Sequence, residues 1–183
     1  DAHCVCHLPH ALGYAEGAGI PIRFLTVQYA LEHLARLEAG ERVLIHAASG
    51  GIGLAAVQFA KDIGAEIYAT AGEDSKRDYL RSLGISHVMN SRNLDFVDEV
   101  REFTQGEGVD VVLNALAGEF IPASMSLLKP FGRFLEIGKK DIYSDTQIGL
   151  LPFRNNLSYF GVDLGQLGDH QPQKLQAMFA ELM

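Results

Sequence analysis

The sequence predicts an α/β fold: a doubly wound sheet of six parallel strands with helices on both faces. Three observations predict it. Short apolar runs suited to buried strands alternate with segments of helical period along the 183 residues. No interval between runs suits a hairpin, so each return to the sheet needs a helical crossover. The first clear strand, Val43-Leu44-Ile45, runs into a turn of small residues and glycines that opens directly into a helix.

Residues 1–12 read as an extended lead-in, with Pro9 excluding a helix. Tyr14 to Gly19 is a short helical or turn segment. Pro21 opens a helix expected over 21–37, with Leu25, Tyr29, Leu34 and Leu37 at approximate helical spacing. After strand one, the helix Gly51–Ile63 carries Leu54, Val57, Ala60 and Lys61 at spacings of three and four, and Gly64 is its expected C-cap. Strand two is Glu66–Ala71. The next helix, with Lys76 and Arg77 in its first turn, runs to about residue 83. A short third strand over 87–89 leads through Asn90-Ser91-Arg92-Asn93 to a helix over 95–104, with Phe96, Val100 and Phe103 on one face. Strand four, Val109–Asn114, is followed by a helix over 120–128, which Lys129-Pro130 is expected to stop. Strand five is expected over 132–137. An irregular segment containing Pro152 precedes strand six, over 157–162, and a helix from Pro172 to Leu182 comes last. No repeat of solenoid period is present.

The turn reads Ala48-Ser49-Gly50-Gly51-Ile52-Gly53, an A-x-G-x-x-G in which alanine replaces the usual first glycine. In this strand–turn–helix context Gly50 lets the backbone approach a pyrophosphate and Gly53 lets the helix pack closely on the strand. The helix N-terminus then offers unpaired N–H groups to the phosphates. The competing reading is a purely structural tight turn. Sites for NAD place Asp or Glu at the end of strand two. Here that strand ends in Thr70-Ala71-Gly72, and the first carboxylate, Glu73, lies just beyond. Lys76, Arg77 and Arg92 suit a ribose 2′-phosphate through charge-assisted bonds. These residues favour NADPH over NADH, with Glu73 the rival as ribose ligand.

Net charge is -8, which argues against nucleic acid or an anionic membrane as main partner. No apolar run reaches the roughly 20 residues of a membrane span, and no signal-peptide pattern is visible. The chain begins at Asp1 without an initiator Met and reads as a piece of a longer protein. Its two cysteines lie in His3-Cys4-Val5-Cys6-His7. Strand alternation there puts the cysteines on one face and the histidines on the other. The spacing is also tighter than in structural zinc sites. An ordinary strand is therefore expected, and no metal. Two such cysteines make no disulfide framework, which fits a reducing, cytoplasmic setting.

The segments FLTVQYALEHLARLEAGERVLIHAASGGIGLAAVQFAK, YATAGEDSKRDYLRSLG, GVDVVLNALAGE, GRFLEIGKKDI and SYFGVDL together resemble the cofactor-binding half of an enoyl reductase domain from a type I polyketide or fatty acid synthase. Such domains belong to the medium-chain dehydrogenase/reductase superfamily. The resemblance covers nearly the whole chain and is nearest to mycobacterial synthases. It implies a Rossmann domain over 21–183, with 1–20 as hinge and remnant of a preceding GroES-like substrate domain. It also implies NADPH-dependent reduction of an α,β-unsaturated thioester on an acyl carrier protein, in company with the other domains of the synthase.

By motif, Lys139 and Asp163 are the proton-donor candidates. Both stand near C-terminal ends of strands, where open α/β sheets bind ligands. The cofactor contacts so implied are Thr26; Ala48, Ser49, Gly50, Gly51, Ile52 and Gly53; Gly72, Lys76 and Arg92; Asn114 and Leu116; and Ile137 and Gly138. A homodimer through the edge strand near 157–164 is expected. This stretch alone should bind NADPH but reduce enoyl thioesters poorly or not at all. The alternatives are a quinone or alkenal reductase of the same superfamily and a non-catalytic NADP-binding module.

Overall fold

Alternation within each strand sets the layers. The computed structural model describes residues 7–183, so Cys4, Cys6 and His3 lie outside the described residues. The elements in chain order are α1 (Tyr14–Gly19), α2 (Pro21–Val27), a π-helical continuation (Gln28–Leu34), β1 (Arg42–Ile45), α3 (Gly51–Ile63), β2 (Glu66–Ala71), α4 (Asp74–Ser82), β3 (His87–Asn90), α5 (Phe96–Phe103) and β4 (Val109–Asn114). They continue with α6 (Phe120–Met125), β5 (Leu128–Glu136), α7 (Lys140–Tyr143), a 3-10 turn (Leu151–Asn155), β6 (Ser158–Gly161), α8 (Leu164–His170) and α9 (Pro172–Leu182). The strands form one sheet in the order β3-β2-β1-β4-β5-β6, with every pair parallel.

Successive residues of a strand point to opposite faces. Val43, Ile45, Ile67, Ala69, Val111 and Leu113 therefore pack with Ala55, Ala56, Val57 and Ala60 of α3 and with Leu31 and Leu80. Leu44, Tyr68, Val112 and Phe134 pack on the other face with Phe96 and Val100 of α5 and Ile121 and Met125 of α6. Strands covered on both faces must be apolar throughout, which is why they read as continuous runs. A smaller cluster joins Leu25 of α2 to Leu167 of α8 and Leu175, Met178 and Phe179 of α9.

One polar line crosses the second face. His46, just past β1, is buried between Thr70 and Ser124, with Nδ1 at 2.9 Å from Thr70 Oγ1 and Nε2 at 2.8 Å from Ser124 Oγ. Ser124 donates its hydroxyl to the Phe120 carbonyl, so it accepts from Nε2–H, and Nδ1 accepts from Thr70. Burial pushes the imidazole down to about 3, and it is neutral.

The structure corrects four expectations. The helix expected over 21–37 is α-helical only to Val27, continues as a π-helix, and ends at Leu34. Arg36 turns left-handed at φ 50°, and Leu37 is buried in the core beyond the helix end. Leu37 matched the helical period because it is a core residue, not a helical one. The helix expected over 120–128 ends at Met125, and β5 starts at Leu128 and carries Lys129-Pro130 within it. Proline is tolerated there because pairing with β4 is interrupted, passing from Val109↔Leu128 to Val111↔Arg133, with Phe131 at φ 65°. The helix α8 has no counterpart in the sequence reading, since Gly165 and Gly168 mark its seven residues as loop. The segment between β5 and β6 also holds α7 and the 3-10 turn. The expected C-cap holds, with Gly64 left-handed at φ 88° and donating to Ala60 and Lys61.

Candidate functional site

Strand order reverses at β1, with β2 and β3 on one side and β4 to β6 on the other. This places a crevice at the C-terminal ends of the strands. The turn Ala48–Gly53 lies at its centre. Ala48 N–H donates to the Thr70 carbonyl at 2.9 Å, and Gly50 N–H donates to Ala47 O at 2.9 Å. Gly50 is the extended N-cap of α3. A side chain on Gly53 would stand 2.5 Å from both Ala47 O and Ala48 Cα, so only glycine permits this approach of helix to turn. The 13-residue α3 directs its N-terminal amides into the crevice. Arg23 of α2 reaches over this point, since a Cβ on Gly51 would lie 2.7 Å from its Nε. Arg23 escaped the sequence reading because the packing of α2 against α3, not local sequence, brings it there.

At the β2 end, the guanidinium of Arg92 lies against Gly72, where a Cβ would meet Nη2 at 3.1 Å. Lys76 pairs with Glu73 at 2.7 Å. Lys76 foremost, with Arg92 adding to it, holds the Glu73 carboxyl below the usual carboxylate range. Gly72, Lys76 and Arg92 thus come together, and the rival ribose ligand Glu73 is engaged by a cation. Arg77 turns away, donating to the Ala71 carbonyl at 3.0 Å and pairing with Asp74. It caps the end of β2 and leaves the group of candidate phosphate ligands.

At the β4, β5 and β6 ends, Lys139 Nζ stands 2.6 Å from Asp163 Oδ2 and donates to the Val162 carbonyl at 3.0 Å. Asp163 caps α8, its Oδ1 accepting from Gly165 N at 2.9 Å and Gln166 N at 3.2 Å. Lys139 is the largest cause holding this carboxyl below its ordinary value, and the two backbone amides add to it. Lys140, next in sequence, is exposed at the start of α7.

Asn114 is fully buried. Its Nδ2 donates to the Leu116 carbonyl at 2.7 Å and to Glu136 Oε2 at 2.6 Å, and its Oδ1 accepts from Leu116 N. It therefore shapes the loop at Leu116 rather than offering a free amide. Thr26 is likewise buried and donates to the Ile22 carbonyl at 2.6 Å. Ile137 N–H donates to the Asn114 carbonyl at 3.0 Å, which carries the ladder one residue beyond the end of β5. Glu136, also missed by the sequence reading, accepts from Asn114 and from Gly138 N–H at 2.6 Å. Burial pushes its carboxyl up to about 7 against those two hydrogen bonds. A carboxylate closing an otherwise apolar strand, Phe134-Leu135-Glu136, was the available signal.

The crevice fits a dinucleotide. A turn closed to any side chain at Gly53, a helix N-terminus beneath Arg23, and cations beside Gly72 suit a pyrophosphate and a further anion along one edge of the sheet. Among the described residues no group of His, Cys, Asp and Glu is arranged to hold a metal ion.

Comparison with known proteins agrees. Residues 51–182 match the family described as zinc-binding dehydrogenase. The chain belongs to that family. Relatives of the chain include polyketide synthases of mycobacteria. The phthioceranic/hydroxyphthioceranic acid synthase of Mycobacterium tuberculosis is 48% identical over 176 residues, covering 96% of this chain and 8% of that protein. The crystal structure of CurK enoyl reductase superposes with a TM-score of 0.88 at 48% identity, over 99% of this chain and 54% of that one. The nucleotide-binding subdomain of the enoyl reductase domain of PpsC from M. tuberculosis superposes at 0.80, also 48% identical, over 87% of this chain and 90% of that one. In extent the chain thus corresponds to the nucleotide-binding subdomain of that enoyl reductase domain. It spans a small fraction of the synthases it matches. No helix among the described residues is long and apolar enough to cross a membrane.

Proposed function

We propose that this chain is the NADPH-binding half of a reductase acting on α,β-unsaturated acyl thioesters carried by an acyl carrier protein, within a polyketide or fatty acid synthase. The observation that carries this reading is the Lys139–Asp163 pair, which stands at the ends of β5 and β6 on the same edge of the sheet as the glycine turn. In this reading residues 21–183 form the nucleotide domain, and 1–20 belong to the edge of a substrate domain.

Arg23 and the α3 amides hold the pyrophosphate. Lys76 and Arg92 hold the 2′-phosphate, which selects NADPH. Leu116, Ile137 and Gly138 border the nicotinamide. When bound there, the cofactor would supply the hydride for the β-carbon of the thioester. Asp163, ionised and accepting from Lys139, Gly165 and Gln166, has no proton to give. It orients Lys139, whose ammonium stabilises the developing enolate oxygen and delivers a proton to the α-carbon. The outer edge of β6, which pairs on its inner side with β5, joins a second copy across 157–164.

The test is NADPH oxidation by the intact reductase domain containing this chain. Oxidation that depends on an enoyl thioester supports the reading. Turnover of free quinones without thioesters would identify a quinone reductase instead. Tight NADPH binding with no turnover of either would identify a non-catalytic module.

A further inference from the structure

Beyond the pair that handles the proton, the buried carboxylate of Glu136 has a geometry that a purely structural residue does not need. Its two oxygens reach two different loops. Oε2 accepts from Asn114 Nδ2 and Oε1 accepts from Gly138 N–H, both at 2.6 Å. Asn114 in turn holds both backbone polar groups of Leu116, in the loop after β4. Gly138 directly precedes Lys139, in the loop after β5. A side chain on Gly138 would stand 2.7 Å from Glu136 Oε1, so the carboxylate occupies space that the glycine leaves open. A second tie joins the same loops, since Asp141 of α7 accepts from Gly118 N–H at 3.1 Å.

We propose that Glu136 is a positioning residue, clamping the β4 and β5 loops together so that the nicotinamide border and Lys139 are set relative to Asp163. This rests on the cofactor reading above. Among the described residues the Glu136 side chain forms no ion pair, and Lys139 directs its ammonium to Asp163 and Val162. A buried charge of this kind is expensive, and an apolar residue would serve packing better. What the carboxylate adds is two simultaneous acceptors on a rigid strand end.

The charged and titratable groups facing it are Asp141 of α7, Lys139 before α7 and Tyr159 of β6. Asp141 opposes ionisation of Glu136 and Lys139 favours it, while burial dominates and pushes the carboxyl up to about 7. When ionised, Glu136 satisfies both N–H donors. When protonated, it carries an O–H of its own and clamps less well. The clamp therefore tightens as pH rises through neutrality.

The test uses Glu136→Gln, which keeps the shape and the Gly138 acceptor but turns an NH₂ toward the Asn114 NH₂. NADPH and 2′,5′-ADP, which carries the adenosine with its 2′- and 5′-phosphates but no nicotinamide, are titrated against wild type and variant. Turnover with an enoyl thioester is followed in the intact reductase domain, and folding is checked by thermal melting. The expected result is unchanged 2′,5′-ADP affinity, NADPH affinity lower by about tenfold, and kcat lower by 10- to 100-fold with thioester KM within twofold, because a misplaced reacting group costs up to about 10²-fold. The rise of wild-type kcat between pH 6 and 8 flattens in the variant. Wild-type kcat, pH profile and NADPH affinity in Glu136→Gln would overturn the clamp while leaving the cofactor reading intact. If wild type bound neither NADPH nor 2′,5′-ADP, the cofactor reading would fall and the clamp with it.

Discussion

Asp163 serves Lys139 through one oxygen and α8 through the other. Oδ2 lies 2.6 Å from Lys139 Nζ, and Oδ1 accepts from Gly165 and Gln166. The two jobs separate by substitution. Asp163→Asn keeps an N-capping oxygen and loses the ion pair, whereas Asp163→Ala loses both. In the intact reductase both are expected to lower kcat by about 10²-fold, the scale of positioned proton transfer. Only Asp163→Ala should also lose about 1 kcal/mol of stability, the worth of a cap. Calorimetry beside steady-state kinetics reads the split. Equal melting of the two variants would show that the cap is idle.

A second expectation concerns acid. His46 has a folded value near 3 against about 6.5 unfolded, so below 6.5 the unfolded chain binds a proton that the folded chain refuses. Its share of stability is fully present above pH 6.5 and is lost as pH falls toward 3. Between pH 6.5 and 5 the loss is about 2 kcal/mol. Urea unfolding at both pH values measures it. His46→Leu, though less stable at pH 7 through the unpaired Thr70, should lack that share of the slope. An identical slope would mean that the imidazole is not held neutral.

Gly53→Ala is expected to destabilise the chain by about 1–3 kcal/mol, because the new methyl meets backbone atoms of Ala47 and Ala48 at 2.5 Å and backbone cannot turn aside. Cofactor affinity should fall with it. An unperturbed melting temperature and affinity would show that the turn and α3 have room to part.

Arg23→Ala should weaken NADPH and NADH alike, by about tenfold, the scale of a charge-assisted bond worth roughly 1.5–3 kcal/mol. Both nucleotides share the pyrophosphate. Loss confined to NADPH would move Arg23 to the 2′-phosphate.

The sheet was legible because its strands are buried on both faces and so read as apolar runs, unbroken at Val43–Ile45 and interrupted only by Asp110 in Val109–Leu113. The glycine turn was legible because Gly53 answers to a local contact. What stayed hidden depends on distant neighbours. Arg23 matters only because α2 crosses α3, and Arg77 is removed from the site only by the Ala71 carbonyl and Asp74. The engagement of the Asn114 amide by Leu116 and Glu136 was equally hidden, because Glu136 comes from the neighbouring strand. Pro130 suggested a stop where an interrupted ladder tolerates it.

The most direct measurement is a fluorescence titration of this chain with NADPH and NADH, in wild type, Lys76→Ala and Arg92→Ala. The expected result is a clear preference for NADPH that shrinks about tenfold in each variant, with NADH binding unchanged. Equal binding of the two nucleotides by wild type would contradict the 2′-phosphate site and return the ribose to Glu73.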